Sequence, residues 1–429
     1  MNASIASAPE PPSYWRALPG LVLLGVILAA GNCALGVFSA IQESAKAELQ
    51  LTDTQLGLSQ GLAMSLPLAL LSIPVGLAVD RSHRVRLLLA VSLSWTLGTF
   101  LTAFANGFAM LFIARLLVGL GANLSTTIAI SIAADKCLPD ARGRALLLLT
   151  IGKYAGAALA FALGGMLLGF LETAHGYWVM PAWRMVHFVL GIGCLVMSGG
   201  VFLLREPVRL EIGFASRAPL KEVAREFWSY RRFLIPLFMG QVGVLMADAA
   251  AMIWAAPVLS RNYGLSPQDF AGWMGAVIFA SGLLGASVGG FAADFGHRSN
   301  RRGGILLGAV LASALSLPAA LFPVAPGATA FGVALFVLLL GGTVTGLITA
   351  TAMAVLLPND LRGLCVGSFL AFGGLIAFGA GPVMVTGLSA WLGGEAYLAS
   401  ALAAVGLMVS TFGALGFLLA MRAAPGPVR

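Results

Sequence analysis

Three ionisable side chains stand inside long apolar runs: Arg115, Lys153 and Asp248. A charge at the centre of a bilayer costs about 2.5–3.5 kcal/mol on insertion scales, so such residues mark ligand sites, proton relays or fixed structural pairs. Asp248, in Met246-Ala247-Asp248-Ala249-Ala250, is a carboxylate able to exchange a proton with either compartment or to pair with Lys153. Lys153 can attract an anionic group, or extend its flexible stem to the headgroups. The adjacent Tyr154 adds an aromatic face and a hydroxyl. Arg115 can bind or bias, but its guanidinium keeps its proton. Asn32 and Asn123 lie deep in their own runs, where an amide bonds either a ligand or a neighbouring helix. Thr343, Thr345, Thr349 and Thr351 are weaker candidates, because threonine can bond its own helix backbone.

A second set of charges sits in short segments that occur twice. Gly76-Leu77-Ala78-Val79-Asp80-Arg81-Ser82-His83-Arg84 is echoed by Gly290-Phe291-Ala292-Ala293-Asp294-Phe295-Gly296-His297-Arg298. Leu138-Pro139-Asp140-Ala141-Arg142-Gly143 is echoed by Leu357-Pro358-Asn359-Asp360-Leu361-Arg362-Gly363. Two charged loops, each repeated once in an apolar chain, point to a duplicated helical bundle with a site between its halves. Asp80, Arg81, Arg84, Asp135, Arg142, Asp294 and Arg298 fall at the ends of apolar runs and are expected to act at a gate, away from substrate.

Composition narrows the class. Residues are 59% hydrophobic and 10% charged, with a mean hydropathy of +0.94, against about 25% charged in soluble domains. The 54 glycines spread through the apolar runs suit close helix packing in lipid. The net charge of +8 does not point to nucleic acid, because the basic residues are confined to interhelical loops and record orientation instead. Cys33, Cys137, Cys194 and Cys365 are far apart and read as free thiols, and the four histidines show no ligand spacing. No metal or cofactor is expected. A membrane hydrolase or transferase would need a nucleophile with a base, or a metal cluster, and neither is legible.

At roughly 20 apolar residues per span, twelve spans can be drawn. The first six run approximately over Leu18–Ile41, Leu56–Val79, Leu87–Ala105, Phe108–Ala134, Ala145–Leu171 and Met185–Leu204. The second six run over Phe233–Leu259, Phe270–Ala293, Ile305–Phe322, Ala328–Leu357, Leu364–Trp391 and Tyr397–Met421. The predicted layout is a tail over 1–16, one bundle over 17–204, a linker over 205–232, a second bundle over 233–421 and a tail over 422–429. Within the linker, 220–228 has amphipathic helical spacing. With both termini placed in the cytoplasm, the outer loops keep only Lys46, Arg184 and Arg261, as the Lys/Arg bias requires. The first fifteen residues lack a basic start, so the first span is expected to be retained. A bacterial inner membrane and a monomer are the expected setting.

Twelve spans, a basic central stretch and Gly76-Leu77-Ala78-Val79-Asp80-Arg81-Ser82-His83-Arg84 resemble the major facilitator superfamily, as does Arg115-Leu116-Leu117-Val118-Gly119-Leu120-Gly121 in span four. Leu51-Thr52-Asp53-Thr54-Gln55-Leu56-Gly57, Ile132-Ala133-Ala134-Asp135, Tyr263-Gly264-Leu265-Ser266 and Gly379-Ala380-Gly381-Pro382 resemble the spinster-like branch. The resemblance implies an all-α membrane protein of twelve transmembrane helices in two pseudo-symmetric six-helix bundles. It implies a cavity lined by spans one, four, seven and ten, with Asp80 capping span eleven and Arg84 pairing with Asp135 while the inner gate is shut. It also implies proton coupling or a structural role for Arg115. The branch usually carries an Asp-Arg pair in span one and a Glu in span four, where this chain has Ala34-Leu35 and Ala122-Asn123.

These readings converge on a secondary transporter working by alternating access. No G-x-x-x-x-G-K-[ST] loop exists for ATP, so energy would come from a gradient, with protons as one partner. Two in-membrane cations against one acid favour a small organic or amphipathic, anionic solute. Multidrug or lysolipid efflux is the alternative within transport, and a non-transporting receptor the alternative outside it.

Overall fold

A computed structural model describes residues 14–138, 141–173, 180–209, 225, 227–299, 301–358, 365 and 367–425. Among these there is no β-strand. The apolar runs form helices because lipid offers the backbone no partner, so each segment must satisfy its own N–H and C=O groups. Eleven helices are long and apolar enough to cross a membrane. They are α1 (Tyr14–Leu49), α3 (Arg84–Ala103), α4 (Phe108–Lys136), α5 (Arg142–Thr173), α6 (Ala182–Leu203), α7 (Arg231–Tyr263), α8 (Pro267–Arg298), α9 (Gly304–Val324), α10 (Ala328–Leu356), α11 (Ala371–Leu392) and α12 (Glu395–Ala423). The remaining expected span, α2, covers 53–81 in three pieces, with a π-helical turn at Leu58–Leu62 between two α-helical stretches. The end carrying Tyr14 is the one the Lys/Arg bias assigns to the cytoplasm, and is called the inner end below.

Two features depart from the sequence expectation. The helices run past the apolar cores: α1 starts four residues before Leu18 and ends eight after Ile41. Its 36 residues amount to about 54 Å, well beyond a hydrocarbon core of about 30 Å. Polar flanks therefore continue the helix, which hydropathy alone does not register. In addition, a π-helical stretch at Phe369–Gly373 leads into α11, and a second lies within it at Leu375–Ala380. The second of these faces the π-helical turn of α2: a side chain at Gly61 would overlap the Phe378 carbonyl and crowd that of Gly379. Both interruptions thus lie where the two halves meet. The tail up to residue 13 and most of 220–228 fall outside the described residues.

Small residues set the packing. Gly152 and Gly156 of α5 lie against the backbone of Gly25 and Ala29 in α1, where any side chain would collide. Gly243 and Gly416 do the same between α7 and α12. Close backbone approach of this kind holds helices together where the hydrophobic effect cannot. The halves α1–α6 and α7–α12 meet along α2 with α11, α5 with α8 and α1 with α7. Trp95, Trp183 and Trp254 are fully buried. All four cysteines are free and buried.

Candidate functional site

Near the middle of α5, Tyr154 reaches across to the second half. Its hydroxyl lies 3.1 Å from that of Thr343 in α10. Its ring lies where a side chain at Gly282 of α8 would stand. Beside Thr343, Gly342 leaves room for the carboxylate of Asp248 from α7, since a Cβ at 342 would overlap it. Asp248 is half-buried, and its Oδ1 is buried with no hydrogen-bond partner. Tyr154, Thr343, Gly342 and Asp248 therefore form one mid-membrane strip linking α5, α10 and α7.

Lys153 adjoins this strip and is exposed. It shares a helix face with the buried Leu149, Gly156 and Ala160, four residues before and three and seven after. Leu159, Leu163, Met166 and Phe170, all exposed, lie on a different face of α5. Lys153 is thus exposed on the packed side of its helix, with its ammonium 5.9 Å from the Tyr154 ring centre. The fixed Lys153–Asp248 pair considered from sequence is not formed, because Oδ1 of Asp248 is unpartnered and no ion pair joins the two among the described residues.

The other intramembrane candidates are placed differently. Arg115 is fully buried, donates to the carbonyls of Ala34 (3.3 Å) and Leu35 (2.5 Å), and stacks 5.3 Å over the Phe38 ring. It clamps α4 to α1 at the very residues that stand in place of the branch's charged pair. Asn32 is buried and donates to Leu28 of its own helix at 2.8 Å. Asn123 donates to Met64 of α2 at 3.1 Å. Thr345 and Thr351 bond their own helix, and Thr349 donates to Gln241 of α7 at 3.0 Å.

The outer end carries an ion-pair cluster that the sequence reading passed over. Arg261 of α7 donates to both oxygens of Glu43 (2.8 and 2.9 Å) and both of Asp53 (2.6 and 2.8 Å) in the first half. Lys46 of α1 pairs with Asp53 at 2.7 Å and with Glu395 of the second half. Burial opposes ionisation of Asp53, but hydrogen bonds from Arg261 and Lys46 outweigh it and hold its pKa below the usual 3.8. One layer deeper, Gln42 of α1 donates to the Ile253 carbonyl of α7 at 2.6 Å and accepts from Gln60, which in turn accepts from Ser39 at 2.6 Å. The signal available in sequence was limited to Lys46, which lies within seven residues of Glu43, Glu48 and Asp53; Arg261 is 208 residues or more from Glu43 and Asp53.

At the inner end Arg84 is buried and donates to Asp135 (2.5 Å), Glu206 (2.8 Å) and the Ser131 and Pro207 carbonyls. Burial favours protonation of Glu206, yet the bonds from Arg84 and from the Val85 N–H prevail and lower its pKa. Among the described residues these partners come from α3, α4 and the segment just after α6, so the cluster ties that segment to α3 and α4. Arg142 donates to Ala134 at 3.2 Å. Arg81, Asp294 and Arg298 are exposed. The expected cap by Asp80 on span eleven lies outside the described residues. Among the described residues, no hydrogen bond or ion pair joins the halves nearer the inner end than Tyr154–Thr343.

The sequence model of the Major Facilitator Superfamily matches residues 22–382. The chain belongs to that superfamily. Within it, the chain is 28% identical over 354 residues to a probable 4-methylmuconolactone transporter of Cupriavidus pinatubonensis, covering 80% of this chain and 76% of that protein. It is 25% identical to protein spinster homolog 1 of Xenopus laevis over 65% of this chain, and spans 54% of that relative. In fold it is similar to a bacterial homologue of the human lysosomal transporter spinster, crystallised inward-facing and unoccupied. That likeness has a TM-score of 0.79 at 22% identity and covers 97% of this chain and 100% of the other. The protein is an integral membrane transporter of the superfamily, resembling its spinster branch, and not an enzyme.

Proposed function

We propose that this transporter carries a small organic or amphipathic anion by alternating access, coupled to protons through Asp248. The observation that carries the reading is the unpartnered buried oxygen of Asp248, set mid-membrane beside the Tyr154–Thr343 contact between the halves. An unpaired carboxylate at that depth is costly unless it is used, and uptake of a proton removes the cost. Lys153, exposed on the packed face of α5 one residue from Tyr154, supplies the positive charge for an anionic group. Arg115 is given a clamping role, since both its Nη groups donate to carbonyls of α1, although its buried Nε, like Oδ1 of Asp248, has no partner among the described residues. The preference for an anion therefore rests on Lys153. The naming of one relative for 4-methylmuconolactone agrees with an organic substrate.

The cycle follows from where the halves touch. The outer end is bridged by Arg261, Lys46 and Gln42, while α1 and α7 change character along their length. No residue from 27 to 45 or from 240 to 261 is exposed, whereas Val22, Val26, Ile235 and Met239 are. This supports a conformation open at the inner end, in which the strip around Asp248 is reached from the cytoplasm. Opening outward requires parting the outer ion pairs and bringing the inner loops together. A proton moving through about 100 mV supplies about 2.3 kcal/mol, enough to bias such a cycle.

Transport into proteoliposomes at several pH values, for wild type and Asp248→Asn, tests the proposal. The variant should bind substrate as before but transport with a flat pH profile. A profile unchanged from wild type removes Asp248 as the proton carrier. A screen of organic acids, lysolipids and cationic drugs by thermal shift then separates the anion reading from multidrug or lysolipid efflux.

A further inference from the structure

One backbone carbonyl of α7 lacks the donor that its own helix should give it. In an α-helix each C=O accepts from the N–H four residues on, and proline has no N–H. Pro257 lies inside α7, four residues after Ile253, so the Ile253 carbonyl is left without that bond. In lipid a carbonyl freed in this way has to be satisfied by a neighbouring helix or by water. Pro236, the other proline inside α7, does the same to Arg232, but Arg232 is exposed at the inner end where water can serve. Ile253 is buried, and its carbonyl is served by the opposite half: Nε2 of Gln42 in α1 donates to it at 2.6 Å.

The amide that makes this bond is held in place from behind. Oε1 of Gln42 accepts from Nε2 of Gln60, and Oε1 of Gln60 accepts from the Ser39 hydroxyl at 2.6 Å. Gln60 belongs to the π-helical turn of α2, so that turn aims a side chain at α1. With its oxygen fixed, Gln42 presents Nε2 to Ile253 and, at 3.3 Å, to the Ser39 carbonyl of its own helix. On the other side, Trp254 donates from Nε1 to the Pro382 carbonyl of α11 at 3.1 Å, which ties this turn of α7 into the second half. Each partner is therefore anchored within its own bundle, and the Gln42–Ile253 bond crosses between them.

Burial sets this bond apart. Gln42 is 1% exposed and Gln60 2%. Among the described residues, the other hydrogen bonds between the halves are exposed or partly so: those of Lys46 and Arg261 above, and Tyr154–Thr343 deeper in the membrane. Water can take over from those as they part. At Ile253 the carbonyl has neither a helical donor nor solvent beside it, so breaking the bond leaves a buried acceptor empty until the layer is wetted.

We propose that Gln42 and Pro257 form the gating pair of the outer end. Pro257 removes the Ile253 carbonyl's own donor, and Gln42 supplies one while α1 is closed on α7. When the halves part, the carbonyl turns to water or to a donor on the substrate. Outward opening is thereby coupled to wetting of the pathway at this layer, whichever substrate and coupling ion the transporter uses.

Opening is followed on intact cells through Ala249→Cys. Ala249 is buried one turn beneath Ile253 on α7, so a membrane-impermeant maleimide added outside reaches that position as the outer end parts. The four native cysteines are buried, and the chain without the substitution supplies the blank. Gln42→Asn keeps an amide for Gln60 but is one methylene too short for Ile253, and Gln42→Met keeps the length without the amide. Each should raise the alkylation rate about tenfold, because the closed form then buries a carbonyl with no donor. Pro257→Ala returns an N–H to Ile253, so in that background the same changes should raise the rate by less than about threefold. Thermal unfolding of the purified variants separates opening from loss of fold, and a Gln42 variant that melts below the assay temperature is replaced by the other. Rates equal to wild type in the folded Gln42 variants overturn the pair. An equal rise with Pro257 and with Pro257→Ala overturns the role of the freed carbonyl.

Discussion

Lys153 is the residue on which the sign of the substrate depends. An exposed ammonium on the packed side of α5, 5.9 Å from the Tyr154 ring centre and with no ion pair among the described residues, has donors to spare for a ligand. A hydrogen bond to a charged group is worth about 1.5–3 kcal/mol, so Lys153→Ala should weaken anionic ligands about tenfold or more. Neutral and cationic ligands should be little affected. Isothermal titration across a matched series checks this, and equal losses for every ligand charge would remove Lys153 from the site. Arg115 contrasts with it, because a buried guanidinium bonded to two carbonyls is a clamp whose partners are fixed.

At the level of helices, the position of Asp248 is decided by a neighbour with no side chain. Gly342 of α10 gives α7 the room to present its carboxylate toward α10. Gly342→Ala should push Asp248 out of place and overpack the contact, at about 1–3 kcal/mol. Thermal unfolding should fall accordingly, and the pH profile of transport should shift even though Asp248 itself is intact. A variant that unfolds earlier but keeps the wild-type pH profile would show that Gly342 serves packing alone. The π-helical stretches of α2 and α11 belong to the same scale. They fall at the contact of the two halves, where such interruptions recur at functional sites.

For the whole molecule, the outer ion-pair cluster sets the balance between conformations. Arg261 alone bonds two carboxylates of the opposite half, and its loss leaves both without their main partner. Arg261→Ala should destabilise the outer-closed form by about 2 kcal/mol, a population change of about 30-fold. Distances between spin labels on the outer ends of α1 and α7 should broaden toward an open form. Unchanged distances would place the closing energy in the Gln42–Gln60 layer beneath. The cluster also has a defined pH response. Because Asp53 is held below its usual pKa, its contribution is complete above that usual value and is lost only as pH falls through the lowered one. Outer closure should therefore be unchanged between about pH 7 and about pH 5. Opening within that window would contradict the assignment of Asp53 to the latch.

The sequence alone determined the membrane class, the helical architecture, the duplication and the three intramembrane charges, because each follows from the cost of exposing polar groups to lipid. The pairing of Arg84 with Asp135, bonded at 2.5 Å, came from the family resemblance that the sequence carries. What only the tertiary structure decided is partnership. Arg115, Lys153 and Asp248 look alike in an apolar run, yet one is occupied by carbonyls, one is exposed on a packed face and one keeps a buried oxygen unpaired. The outer cluster joins Glu43 to Arg261 across 218 residues of chain, and no local pattern encodes a contact at that separation. Which charges meet depends on how two bundles dock, and that geometry is set by glycines whose effect is visible only in the backbone each one admits.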